Sequence, residues 1–186
     1  GQFVILRLNE TGERIPITIA DSNPTGTITL YVQAVGKTTT LMSHMKTGDA
    51  ILDVAGPLGM PSQIEKVGTV VAIGGGFGVA AMYPIVREHT RIGNKTISLL
   101  GARTHELIIL EDEMRKASSE IRIATNDGSY GKKGIVTDLL MEMISRSEPI
   151  DLVIAIGPPV MMKAVAEITR PCSIKTIASM NPIMMD

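Results

Sequence analysis

The stretch Val70-Val71-Ala72-Ile73-Gly74-Gly75-Gly76-Phe77-Gly78-Val79-Ala80-Ala81 decides the fold of this chain. Its first four residues are apolar without a polar alternation, the pattern of a strand buried on both faces. The strand runs into a glycine cluster, and the cluster opens a helix. At such a turn an α/β sheet offers backbone N–H groups and a helix N-terminus to a pyrophosphate. Gly76-Phe77-Gly78-Val79-Ala80-Ala81 satisfies G-x-G-x-x-A, whereas the frame beginning at Gly74 puts Val79 third and fails. A glycine fingerprint alone is weak; the strand before it and the helix after it supply its context. A tight strand-to-helix turn without a ligand is the plain alternative. Pro84 lies inside the helix pattern and is expected to kink it or leave an irregular first turn.

The same grammar continues towards the C-terminus. Short apolar runs at residues 69–73, 96–100, 121–124, 152–156 and 174–178 alternate with helical patterns at 79–89, 105–117, 135–146 and 160–168. Alternating strands and helices mean right-handed crossovers and a covered parallel sheet. Residues 67–186 therefore predict a doubly wound, five-stranded parallel α/β domain. Its second strand ends Leu100-Gly101-Ala102-Arg103, with no carboxylate to grip a ribose. Arg103 is suited to a phosphate or to the face of an adenine, and equally to solvent. The third and fourth strands end in Thr125-Asn126-Asp127-Gly128 and Gly157-Pro158-Pro159, so these loops should converge on one crevice.

Residues 1–66 read differently. Period-two runs at 3–8, 14–20, 27–35 and 50–55, broken by turn residues, predict an antiparallel barrel or sandwich with a short helix at 38–46. The chain opens directly on a strand, so the barrel is expected to lack its first strands, and both ends read as cut. Gly36-Lys37-Thr38 is not a triphosphatase loop, because Tyr31 stands where that motif needs glycine. Gly36, Lys37, Thr38, Thr39 and Thr40 nonetheless bring N–H groups and hydroxyls to a helix start. Arg14 precedes a strand that carries Pro16 and Thr18. The set suits a phosphate-bearing cofactor, and it also suits an ordinary capped helix beside an ordinary strand.

Composition narrows the classes. Of the 186 residues 44% are hydrophobic and 20% charged, and 18 Lys and Arg face 19 Asp and Glu for a net charge of −1. There is no basic excess for nucleic acid or an anionic membrane. Cys172 stands alone and His44, His89 and His105 are scattered, so no Cys-based metal site and no disulfide framework is expected. No apolar run reaches membrane-spanning length and no signal segment is visible. A cytoplasmic protein is expected.

Taken together, these residues resemble the ferredoxin–NADP reductase superfamily, in which a flavin-binding antiparallel Greek-key β-barrel precedes a nicotinamide-binding α/β domain, and the resemblance implies the barrel for residues 1–66. Gly1-Gln2-Phe3-Val4 resembles the family's G-Q-F/Y strand, and Arg14-Ile15-Pro16-Ile17-Thr18 stands at its flavin motif. Gly36-Lys37-Thr38-Thr39 falls at the segment for the flavin pyrophosphate, and Gly56-Pro57-Leu58-Gly59 resembles the turn that ends the barrel. The chain is most similar to electron-transfer subunits. These are the small subunit of NADH-dependent reduced ferredoxin:NADP oxidoreductase (sulfide dehydrogenase) and the electron-transfer subunit of dihydroorotate dehydrogenase. Gly101-Ala102-Arg103-Thr104, Glu111-Asp112-Glu113-Met114, Asn126-Asp127-Gly128-Ser129-Tyr130-Gly131 and Ser179-Met180-Asn181-Pro182-Ile183-Met184 carry that narrower likeness.

The resemblance implies FAD and NAD(P) as cofactors and hydride transfer between them. Electrons then pass to an iron–sulfur centre or ferredoxin, with a larger catalytic subunit as partner. Such chemistry belongs to the cofactor, so no acid–base catalytic residue is expected. Pro16, Thr18, Ile19 and Ala20 would flank the flavin ring; Arg14, Val35, Gly36, Thr38 and Thr39 would hold its pyrophosphate region. Gly74, Gly75, Gly76, Phe77 and Gly78 would admit the dinucleotide, with Arg103, Asp127, Gly157 and Pro158 along its path. Where many relatives have Cys-Gly this chain has Ile156-Gly157. The cysteines for a [2Fe–2S] centre would follow the position of Asp186, so that centre is expected only in a longer chain. NAD against NADP stays open. A non-enzymatic nucleotide-binding or docking module that has lost its flavin is the rival reading.

Overall fold

The computed structural model describes residues 1–180. The chain divides into two compact units, Gly1–Gln63 and Ile64–Asp186. Asn181 to Met184 of the fourth motif lie outside the described residues.

The first unit holds strands β1 (Phe3–Arg7), β2 (Ile15–Ser22) and β3 (Ile28–Leu30), helix α1 (Lys37–Ser43) and strand β4 (Asp53–Leu58). All pairings are antiparallel and the order is β3-β2-β1-β4. Three consecutive strands with the fourth returning beside the first make a barrel-like Greek key. The last strand sits three residues later than the alternation predicts. Its register follows its partner: Arg7 faces Asp53, and the Arg7 Nε donates to the Asp53 carboxylate at 2.8 Å. Strand β3 is shorter than predicted, because only Ile28 to Leu30 find partners on β2. The core here is thin: Val4, Leu6 and Ala20 are buried, while Val35, Val54 and Met60 stay exposed.

The second unit runs β5 (Thr69–Gly75), α2 (Gly78–Arg91), β6 (Lys95–Ala102), α3 (Glu111–Ala117), β7 (Glu120–Thr125), β8 (Lys132–Lys133), α4 (Val136–Ser145), β9 (Leu152–Ile156), α5 (Pro159–Thr169) and β10 (Thr176–Ala178). Its strands are all parallel in the order β10-β9-β5-β6-β7-β8. The predicted five strands are present, and a sixth is added. Lys132 and Lys133 pair with the end of β7, a two-residue ladder too short to leave a hydrophobic signature. Every residue of β5 is buried. Val70 and Ala72 face one way, against Val79, Met82 and Val86 of α2 and Met114 of α3. Val71 and Ile73 face the other way, against Leu139, Leu140 and Met143 of α4 and Val165 of α5. Period-two alternation thus builds two cores from one apolar run.

One helix prediction needs correction, and the irregular first turn expected of the Pro84 helix is present. The pattern at 105–117 is not one helix but a single 3-10 turn (His105–Leu107), an extended bend, and then α3. Ile108, Ile109 and Leu110 all pack on the core, and three consecutive residues cannot share one face of a helix. Leu110 takes the left-handed conformation, φ 58°, to turn into α3. Helix α2 continues through Pro84, and the irregularity falls at its start. There Val79 N–H and Ala80 N–H reach back only three residues, to the carbonyls of Gly76 and Phe77.

Beneath α2 lies a buried polar knot. The Asn94 Oδ1 accepts from the N–H groups of Val67 and Gly68, which fixes the amide so that Nδ2 donates to His89 Nδ1 at 2.9 Å. An accepting Nδ1 leaves the proton on Nε2, and that buried atom has no hydrogen-bond partner among the described residues. Burial pushes the His89 pKa down. The unfolded chain therefore takes up a proton below about pH 6.5 that the folded chain refuses. Stability should be level above that pH and fall below it, by at most about 1.4 kcal/mol per pH unit from this group. Urea unfolding at pH 7.5 and 5.5 checks this: the loss on acidification should shrink in His89→Gln.

Candidate functional site

In the second unit the sheet order reverses direction between β5 and β9. From β5 the chain steps out through β6 and β7; it then returns to place β9 and β10 on the other side. A crevice opens at such a switch point, outside the carboxyl ends of the strands. Here those ends are Gly74-Gly75-Gly76 and Ile156-Gly157-Pro158.

The glycines have different tasks. A Cβ on Gly78 would lie 2.2 Å from the Ile156 carbonyl oxygen, so only glycine lets α2 begin against the end of β9. A Cβ on Gly75 would meet the Met161 sulfur at 2.6 Å and Pro158 Cδ at 3.0 Å, and one on Gly157 would meet Gly75 N at 3.0 Å. Gly74 is closed in by Val79 and Met82. Gly76 is the exception: its φ is +52° and a Cβ there would touch nothing within 4 Å. Its N–H is already given to the Gly101 carbonyl at 3.0 Å. What it leaves is room above the start of α2, where the first N–H groups of the helix have no intrahelical acceptor. Phe77 beside it is 40% exposed.

The other predicted residues of this unit flank the same strand ends. Arg103 is exposed at the end of β6, and Asp127 N–H donates to its carbonyl oxygen at 3.3 Å. The Asp127 carboxylate accepts from Ser129 N–H at 3.0 Å and Ser129 Oγ at 2.7 Å. Those bonds hold its pKa below the ordinary value. Three residues that the sequence reading left without a role also gather here: His105, Ser129 and Tyr130. The His105 and Tyr130 rings stack with centroids 4.3 Å apart. The signal was the Asn126 to Gly131 motif itself, whose aromatic partner lies 25 residues away on another loop.

The first unit brings its predicted residues together only in part. The Thr39 Oγ1 accepts from Val35 N–H at 3.1 Å and Gly36 N–H at 2.9 Å, so this hydroxyl is committed to the backbone. Thr38 is buried and its Oγ1 donates to Glu13 Oε2 at 3.4 Å. Neither hydroxyl is turned out as the sequence suggests: that of Thr39 satisfies the backbone at the helix start, and that of Thr38 is buried against Glu13. The Arg14 side chain is 60% exposed, and among the described residues it pairs loosely with the Asp53 carboxylate at 3.9 Å. Val35 and Gly36 are exposed, and Pro16 is exposed on β2. Thr18 and Ile19 are half-buried and Ala20 is buried; the Ile19 N–H is spent on the Gln2 carbonyl at 3.0 Å. Among the described residues no group of three His, Cys, Asp or Glu could hold a metal ion.

Residues 72–167, from the middle of β5 into α5, match the oxidoreductase NAD-binding domain family. The chain belongs to this family. An electron transfer subunit homolog of dihydroorotate dehydrogenase B (NAD(+)) from Thermotoga maritima is 46% identical over the whole chain. The probable electron transfer subunit of the same enzyme from Methanocaldococcus jannaschii is 36% identical over 99% of the chain and 68% of its own length. A chain of the NADH-dependent reduced ferredoxin-NADP oxidoreductase structure superposes with a TM-score of 0.93 at 44% identity, covering all of this chain and 67% of that one. The chain spans 66% of the length of the Thermotoga maritima relative. No helix among the described residues is long and apolar enough to cross a membrane.

For this NAD-binding oxidoreductase domain, the crevice geometry separates a packing glycine from an open one. Gly78→Ala should destabilise the fold by about 3 kcal/mol, the upper part of the usual overpacking range, since it meets backbone and not a movable side chain. Gly76→Ala should cost about 1 kcal/mol, the penalty for a left-handed residue with space around it. Urea unfolding of the two variants measures the difference.

Proposed function

We propose that this chain is the flavin- and nicotinamide-binding part of an electron-transfer subunit. It takes hydride between NAD(P)H and FAD and sends electrons to an iron–sulfur centre or a ferredoxin. The relatives' names support the class of subunit, and the larger catalytic subunit they belong with is the partner this reading expects. The observation that carries it is the crevice at the β5–β9 switch point, walled by backbone and open above Gly76.

The residues present fit a dinucleotide. The first N–H groups of α2, at Phe77 and Gly78, and the positive end of its dipole would receive the pyrophosphate. Gly74 and Gly75 let Val79, Met82 and Met161 pack directly against the backbone of the floor. Gly157 and Pro158 would line the nicotinamide end, while Arg103 and Asp127 lie on the adenosine side. With Ile156 buried at the end of β9, contact there is aliphatic and carries no thiol.

The fit to a flavin rests on the exposed Arg14 guanidinium and on the exposed turn at Val35 and Gly36, whose N–H groups Thr39 already holds. Thr39 would serve by holding that backbone in place, and Thr38 by anchoring α1 to Glu13. Pro16, Thr18, Ile19 and Ala20 of β2 would lie along the ring. When bound, the flavin accepts a hydride as a pair and gives its electrons up singly. The chain's part is to bind, orient and exclude water; no side chain is assigned a proton. A [2Fe–2S] centre belongs, in this reading, to a longer chain.

The full-length subunit should carry flavin, seen by its absorbance, and be reduced by NADH or NADPH. Arg14→Ala should weaken flavin retention by about 1.5–3 kcal/mol, the worth of a hydrogen bond to a charged group. Gly76→Val should weaken dinucleotide binding by titration while flavin content is kept. A subunit purified with its partner that neither holds flavin nor binds either nucleotide would overturn the proposal in favour of a docking module.

A further inference from the structure

We propose that His105, laid over Tyr130, is the surface on which the adenine of the dinucleotide stacks. This rests on the reading above that the carboxyl end of the parallel sheet takes a dinucleotide. It adds a residue that the sequence motifs left unexplained.

The placement follows from strand spacing. The pyrophosphate position is the turn after β5, and Gly76 N–H ties that turn to Gly101 at the end of β6. Adjacent strands are about 4.8 Å apart, so the ends of β6 and β7 lie about 5–10 Å from that turn. One ribose and one base cover that distance. His105 follows β6 and Tyr130 follows β7, so their ring pair bridges these two strand ends.

The pair is built to stay in place. Tyr130 packs half-buried on the core. Its N–H donates to Thr125 Oγ1 at 3.0 Å, its carbonyl accepts from the same hydroxyl at 2.7 Å, and its Oη donates to Glu111 at 2.8 Å. Arg115 holds Glu111 from the next turn of α3; burial pushes the Glu111 pKa up, but the bonds from Tyr130 and Arg115 together bring it below the ordinary value. On the other loop, His105 N–H donates to Ser129 Oγ at 2.9 Å, and Ser129 Oγ donates to Asp127. The rings lie 30° from parallel, with Tyr130 inward and His105 exposed. One face of the imidazole is covered by the phenol. The other is a flat surface facing solvent, anchored through two loops and ready for another ring. Stacking needs no particular base edge, so the surface takes the adenine of NADH and of NADPH alike.

Three probes test this on the full-length subunit: NADH, ADP-ribose and reduced nicotinamide mononucleotide, which lacks the adenosine. His105→Ala should weaken NADH and ADP-ribose about tenfold and leave the mononucleotide unchanged. His105→Phe, which keeps a flat ring, should restore both. Equal loss for all three probes would mean a merely structural role and overturn the proposal. So would unchanged NADH binding in His105→Ala, or a selective loss in Arg103→Ala instead. A parent subunit that binds the mononucleotide but no better with adenosine attached overturns this inference alone. One that binds none of the three overturns the dinucleotide reading with it.

Discussion

The second unit depends on one close approach, the start of α2 against the end of β9. A single methyl group on Gly78 would lie 2.2 Å from the Ile156 carbonyl oxygen, far inside van der Waals contact. This contact lets β5 and β9 lie side by side while the helix between β5 and β6 begins directly over them. It also aims the helix axis, and with it the dipole, at the strand ends. Met161 of α5 completes the arrangement by resting its thioether on Gly75 and near Gly157, so sulfur and backbone meet at the floor of the crevice. Everything assigned to nucleotide binding follows from that geometry.

Such a contact explains what the sequence could and could not reveal. The strand-glycine-helix grammar of residues 70–81 is local, and the parallel sheet was legible from it together with the later apolar runs. The separate duties of the glycines were not. Whether a glycine admits a ligand or a neighbouring strand depends on what lies across from it. For Gly78 that is a carbonyl 78 residues further along the chain. For the same reason His105 read as one scattered histidine. Its partner ring comes from the loop after the next strand, a meeting that only the parallel pairing of β6 and β7 creates.

The break between His105 and Glu111 shows a second limit. Periodicity counts apolar residues on one face, and this segment has three in a row that all reach the core. Helix propensity favoured continuation; burial of Ile108, Ile109 and Leu110 outweighed it. The left-handed turn at Leu110 costs about 1–2 kcal/mol, comparable with what burying one aliphatic side chain returns, and three are partly buried. The bend matters for the site. It sets α3 so that Glu111 meets the Tyr130 hydroxyl, which a continuous helix from His105 would carry elsewhere.

In the first unit a similar competition occupies two of the hydroxyls that the proposal sets near a phosphate. A hydroxyl near a helix start has two calls on it, the helix's own unsatisfied N–H groups and any bound anion. Thr39 answers the first, with two backbone donors at hydrogen-bond distance, and Thr38 is buried against Glu13. What remains for an anion is one exposed guanidinium and backbone. An exposed charge acts through water and is screened over about 8 Å at physiological salt. Oriented backbone donors at a fixed helix start are in place before the ligand arrives, so less ordering is required of them on binding. The two nucleotide sites of the proposal are thus built by unlike physics. The α/β site is set by covalent shape, in the glycines that hold α2 where it is, whereas the flavin site leans on the charge of Arg14.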